Sequence, residues 1–216
     1  MDEREKALQR MNEHVIDKRT DKRRKEYLPP ELDSEEIFRL MRHRRSIRHY
    51  EPNPVPPDLI NKIIDAARWA PSACNRQPVR FVIVEDREDI DFLYNIRREK
   101  WMRKAPLVII VGVDIITYSA AEKQYTPYMD VGAAIQNMLL MAHALDLGAC
   151  WINYGEQECG IEGLRQTQKR FQLDPGIQTL SLVAIGYPAI NPRDIPRIPI
   201  EELILGDQKS KENTKR

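Results

Sequence analysis

A chain of 216 residues, 42% hydrophobic and 31% charged, is long and apolar enough to bury a core of its own, and one domain is the favoured count. Its 34 Lys and Arg offset 33 Asp and Glu to a net charge of +1, which removes any global electrostatic case for nucleic acid or an acidic membrane. No stretch approaches the roughly 18 apolar residues of a membrane helix, the N-terminus is too charged for a signal peptide, and Cys74, Cys150 and Cys159 lack C-x-x-C spacing. The expectation is a cytoplasmic protein with free thiols and no metal site.

Residues 1–33 read as a charged extension. Nine Lys or Arg and seven Asp or Glu up to Glu26 are mixed in sign, which suits an exposed helix or lead-in better than a nucleic-acid arm. The main domain is expected over 34–205 and a polar tail over 206–216. Asp33 or Ser34 is placed to cap a helix whose Ile37, Leu40 and Met41 share one face. That helix delivers Arg44, Arg45, Ser46, Ile47 and Arg48 at its C-terminal end. Three guanidiniums and a hydroxyl match the oxygens of a phosphate monoester better than a lone carboxylate, although a solvated basic turn has the same composition.

Pro52, Pro54, Pro56 and Pro57 then enforce an extended connection, and a second helix begins near Asp58 with Ile60, Ile63, Ile64 and Ala67 on one stripe. The polar loop 71–78 separates it from an apolar strand over 81–84. Loops in that position often carry sites, an ordinary turn with Asn75 and Gln77 solvated being the alternative. Further on, the pattern predicts a helix over 88–104, a strand buried on both faces over 107–113, and a long helix over 128–145 closed by Gly148. A short apolar piece at 149–153, a helix over 160–171 and a last strand over 179–185 follow. The proline-spaced segment 191–199 should run along a surface, carrying Arg193 and Arg197.

Alternating strands and helices suggest a doubly wound parallel sheet, yet the Gly-x-Gly-x-x-Gly of that fold is missing. A phosphate loop, a His-Glu-x-x-His helix and a Gly-x-Ser-x-Gly elbow are missing too, and His14, His43, His49 and His143 are scattered. An anion-binding cluster without an acid, base or nucleophile constellation fits a protein whose cofactor brings the chemistry.

The stretch from Arg44 to Tyr50, Ala66-Ala67 leading into Pro71 to Pro78, Gly132 to Ile152, and Gly186-Tyr187-Pro188 followed by Arg197 to Glu202 together resemble the nitroreductase family of FMN flavoproteins. The resemblance covers about residues 34–205, and it replaces the parallel sheet by an α+β fold with a mostly antiparallel central sheet flanked by helices, assembled as an intertwined homodimer. It implies FMN as cofactor, NADH or NADPH as hydride donor, and a small nitroaromatic or quinone acceptor reduced in ping-pong order, with no catalytic side chain and no metal. By the same resemblance Arg44, Ser46 and Arg197 hold the FMN phosphate, Arg45 adds backbone contacts, and Arg48 lies toward the pyrimidine. Pro71, Ser72, Ala73, Asn75 and Gln77 reach in from the partner subunit, and Trp151, Ile152 and Asn153 line the ring. Two departures stand out: Asn153-Tyr154 replaces a small or acidic residue, with Tyr154 expected to narrow the substrate face, and no one of Arg97, Arg98 and Lys100 can be assigned the usual flavin contact. A dehalogenase, a flavin-cleaving enzyme of the same fold, and a non-catalytic FMN-binding protein are the other readings.

Overall fold

The computed structural model describes residues 33–206, so the charged extension and the polar tail lie outside the described residues, apart from their innermost positions. Helix α1 (Ser34–His43) starts where Asp33 accepts the Glu35 N–H at 2.9 Å. Glu35 and Glu36 in its first turn and Arg42 and His43 in its last complement the helix dipole. Among the described residues its Phe38 and Met41 find no cover and remain 57% and 51% exposed. Helix α2 (Pro57–Arg68) begins on a proline, which needs no hydrogen-bonded N–H there.

Four strands follow, with helices between them: β1 (Val79–Val84), α3 (Arg87–Arg97), β2 (Leu107–Asp114), α4 (Thr126–Ala144), β3 (Gly148–Asn153), α5 (Glu156–Arg170), β4 (Ile177–Gly186) and the short α6 (Ile200–Leu203). The sheet order is β1-β2-β4-β3 and every neighbouring pair is antiparallel. The parallel sheet suggested by alternation alone is therefore wrong, and the α+β reading is correct. Alternating elements specify layers, not strand direction. Strand β2 is buried along its whole length. Leu107, Ile109, Val111 and Val113 face a core with α2 and α4, whereas Val108 and Ile110 face a second core with α3 and α5.

The β2–β4 register slips between Val111 and Gly112, which pair with Ser181 and Thr179. Leu180 is the extra residue of this bulge. A Cβ on Gly112 would fall 2.6 Å from the Gln178 carbonyl oxygen, so the site tolerates no side chain.

β1 and β4 each start two residues before the expected position, and three helix boundaries also differ from expectation. The helix expected over 88–104 stops at Arg97, because Arg98 takes a left-handed φ of 62°, and a 3₁₀ turn covers Lys100–Lys104. Helix α4 starts two residues earlier, with Pro127 in its first turn. Helix α5 starts at Glu156, where the Glu158 carboxylate accepts the Gly155 N–H at 3.2 Å, and Gly160 at φ 67° is a kink inside it. Among the described residues no helix is long and apolar enough to cross a membrane.

Candidate functional site

The basic stretch leaves the helix at Arg44 and runs extended beside β3. Ile47 donates its N–H to the Ala149 carbonyl at 3.1 Å, Ser46 bridges Ala149, and the buried Tyr50 donates its hydroxyl to backbone carbonyls of Ile47 and Ala184. Pleating buries Ile47 and turns Ser46 and Arg48 outward together. A hydroxyl and a guanidinium thus share one exposed face, with Arg44 at its head.

The side chains then separate in role. Burial, and next to it the Arg197 and Arg45 guanidiniums, push Arg44 below its usual value. No acidic side chain pairs with Arg44 or Arg197 among the described residues. Arg45 donates to Asp194 at 2.8 Å and to the Arg42 and Arg44 carbonyls, so it ties the returning tail to the end of α1. Three like charges gathered by the fold, with Asp194 as the one carboxylate paired to them among the described residues, make a candidate anion site. Arg48 stacks its guanidinium 5.6 Å over the Trp101 ring and is not ion-paired with Glu51. Cys150 lies behind this cluster; burial raises its thiol above the usual range against the pull of Arg48 and Ser46, which makes it a neutral core thiol.

Against Trp151 and Asn153 of β3 opens a cleft of about 640 Å³ lined also by Tyr128, Val131, Glu156 and Ser181, among others. Trp151 is 40% exposed and donates its indole N–H to the Ser181 hydroxyl at 2.8 Å, a partner on the same face, since Ser181 pairs with Asn153 in regular register. Asn153 is exposed and its carbonyl accepts from Arg97 at 2.8 Å, which places Arg97, of the three basic candidates, at the end of β3. Ile152 is buried in the second core and does not line the cleft. Tyr154 is fully buried and does not narrow the cleft. Thr167 donates its single hydroxyl proton to Gly163, so Tyr154 donates to Thr167, at 2.7 Å.

The loop with Pro71, Ser72, Ala73, Asn75 and Gln77 stands apart from Arg44–Arg48 in the single chain. Its hydrogen bonds run within itself and to the entry of α4: Ser72 accepts the Gln77 N–H at 2.9 Å and Asp130 accepts the Ala73 N–H at 3.1 Å. Cys74, Asn75 and Gln77 all have φ between 51° and 53°. For Cys74 and Gln77 that conformation costs roughly 1–2 kcal/mol each, strain of the kind that collects at functional sites.

Sequence reading missed the supports: Trp101 under Arg48, Ser181 under Trp151, and Asp130 under the loop. Asp130 alone leaves a signal, as an acid in an otherwise apolar stripe of α4.

A family model for the nitroreductase family matches residues 41–98 and 94–187. The chain belongs to the nitroreductase family. Among nitroreductase-family relatives, a Methanothermobacter thermautotrophicus protein with the provisional name NADH dehydrogenase/NAD(P)H nitroreductase is 37% identical over 159 residues, 73% of this chain and 80% of its own length. A provisionally named nitroreductase from Desulfovibrio desulfuricans, solved in complex with FMN, superposes with a TM-score of 0.67 at 32% identity, covering 82% of this chain and 98% of its own. Iodotyrosine deiodinase of Danio rerio is 24% identical over 202 residues, 80% of this chain and 67% of its length.

Proposed function

We propose that this chain is an FMN-dependent oxidoreductase that takes reducing equivalents from NADH or NADPH and passes them to a small nitroaromatic or quinone-type acceptor. The observation that carries the reading is the convergence of Arg44, Arg45 and Arg197, short of counter-charge, beside the Ser46 hydroxyl and one strand away from the Trp151 cleft. That donor set fits the terminal phosphate of FMN, with Arg44, Ser46 and Arg197 on its oxygens and Arg45 holding the tail in place. Arg48, propped on Trp101, supplies a fixed positive charge for the pyrimidine edge. Trp151 and Asn153 form the wall for the ring.

FMN, when bound, supplies the two-electron chemistry. The chain's part is to hold the ring edge, to set the charge around it and to shape one opening. A cleft of about 640 Å³ has the size of a single small-ligand site, so donor and acceptor use it in turn, a ping-pong order.

The working unit in this reading is a homodimer. Phe38 and Met41 of α1 and Ile195, Ile198 and Ile200 of the tail are exposed, more apolar surface than a monomer usually leaves uncovered. The Ser72–Gln77 loop makes no hydrogen bond to the Arg44–Arg48 stretch of its own chain among the described residues, and in this reading a second copy brings it to them. Reduction of a halogenated phenol is the second reading, favoured by the likeness to iodotyrosine deiodinase.

Initial rates with NAD(P)H against a nitroaromatic, a quinone and an iodophenol, with iodide release followed in parallel, test the proposal. Parallel double-reciprocal lines with a nitroaromatic or quinone are expected. Turnover of the iodophenol alone would select the second reading, and no turnover of any acceptor would refute both.

A further inference from the structure

The loop after α2 and the segment that leads into α4 are joined at two points. Asp130, 5% exposed, accepts on both carboxylate oxygens, from the Ala73 N–H at 3.1 Å and from the Tyr118 hydroxyl at 2.8 Å. Three residues along the loop, Arg76 donates to Glu122 at 2.8 Å, and the second Glu122 oxygen accepts the Ser119 N–H at 2.8 Å. A carboxylate this buried, answered by a backbone amide and a phenol instead of a cation, is costly to desolvate, and the α4 stripe around it would pack as well with an apolar residue.

Between the two points lie Cys74 and Asn75, and just beyond them Gln77, all left-handed. Side-chain-bearing residues do not hold three such dihedrals by local preference. Ser72 holds the turn from within by accepting the Asn75 and Gln77 N–H groups, and the carboxylates that hold it from outside are Asp130 and Glu122.

We infer that Asp130 and Glu122 are positioning residues for the cofactor: they clamp the Ser72–Gln77 turn in the form that presents Ser72, Asn75 and Gln77, and they join it to the segment 118–126 that leads into α4. The inference rests on the reading of that turn as part of the FMN site. Arg76 and Glu122 form the outer arm and Tyr118, Asp130 and the Ala73 amide the inner one. The outer arm is partly exposed, its two side chains at 19% and 28%, and can be cut without opening the core.

The test measures FMN dissociation constants, by flavin-fluorescence quenching, and apo-protein melting midpoints for the full-length parent and its variants. Glu122→Ala is expected to weaken FMN binding by about tenfold, with a midpoint lowered only as far as the loss of a partly exposed ion pair lowers it. Glu122→Gln, whose single amide oxygen can still accept from Arg76 but no longer from the Ser119 N–H as well, should recover part of that loss. Arg76→Ala with Glu122→Ala should be no weaker than either single change, because one clamp is cut twice. Asp130→Asn should weaken binding further. Unchanged FMN affinity in Glu122→Ala, or a loss that Glu122→Gln does not recover, would overturn the inference even if the midpoint falls. A parent protein that binds no FMN overturns the cofactor reading itself, and the clamp's role with it.

Discussion

Replacing Arg44 by Ala is expected to separate cofactor affinity from the stability of the free protein. In the free protein the Arg44 guanidinium is partly desolvated against Arg197 and Arg45 and has no carboxylate partner among the described residues. Its removal relieves repulsion, so the apo melting midpoint should hold or rise, the change lying within about 1 kcal/mol after solvent screening. Against FMN the sign reverses. A charge-assisted bond to phosphate contributes about 1.5–3 kcal/mol, which corresponds to a dissociation constant roughly 10- to 150-fold weaker in the variant. Fluorescence titration of the apo protein gives the first quantity and a thermal melt gives the second. Unchanged FMN affinity, or a fall in the apo midpoint as large as a core truncation produces, would refute the assignment of Arg44 to the phosphate.

Three further outcomes are expected. Arg48→Ala, which removes the charge propped on Trp101, should retain much of its FMN but lower the flavin midpoint potential by roughly 20–80 mV, from a Coulomb contribution of order 1–4 kcal/mol at about 30 mV per 1.4 kcal/mol; spectroelectrochemistry giving the parent's potential would count against it. The hydrogen bond from Arg76, with those from Ser119, holds the Glu122 carboxyl down to about 2, below its ordinary 4.5. A depressed carboxyl stabilises the fold above its unfolded value and loses that contribution as pH falls, so the midpoint gap between parent and Glu122→Gln should be full above pH 4.5 and vanish toward pH 2; a gap independent of pH would contradict the pairing. Tyr154→Phe leaves the buried Thr167 oxygen without its donor and should cost about 1 kcal/mol in chemical denaturation while leaving turnover intact, since the ring lies in the core.

What the chain shows before folding is what lies close together along it. Arg44, Ser46 and Arg48 are neighbours, so their chemistry is legible, and their shared face follows from the two-residue alternation that buries Ile47. The α1 and α2 faces are legible for the same reason, as is the apolar run of β2. Strand direction is not, because a strand buried on both faces carries no mark of which way its neighbours run. The supports of the site come from far along the chain: Trp101 lies 53 positions from Arg48, and Asp130 lies 57 from Ala73. No local pattern announces such pairs. Tyr154 is different, since the alternation that exposes Trp151 and Asn153 already points the next residue inward. The boundary at Arg97 depends on a left-handed arginine, a conformation that composition does not signal.

The central claim, that this nitroreductase-family chain holds an FMN which NAD(P)H reduces, is tested most directly by anaerobic stopped-flow mixing of the FMN-loaded protein with NADH and, separately, with NADPH. Rapid bleaching of the flavin absorbance with at least one of them, reversed on adding a nitroaromatic or a quinone, is the predicted result. A flavin that stays oxidised with both would contradict the account and leave a protein that binds FMN without using it.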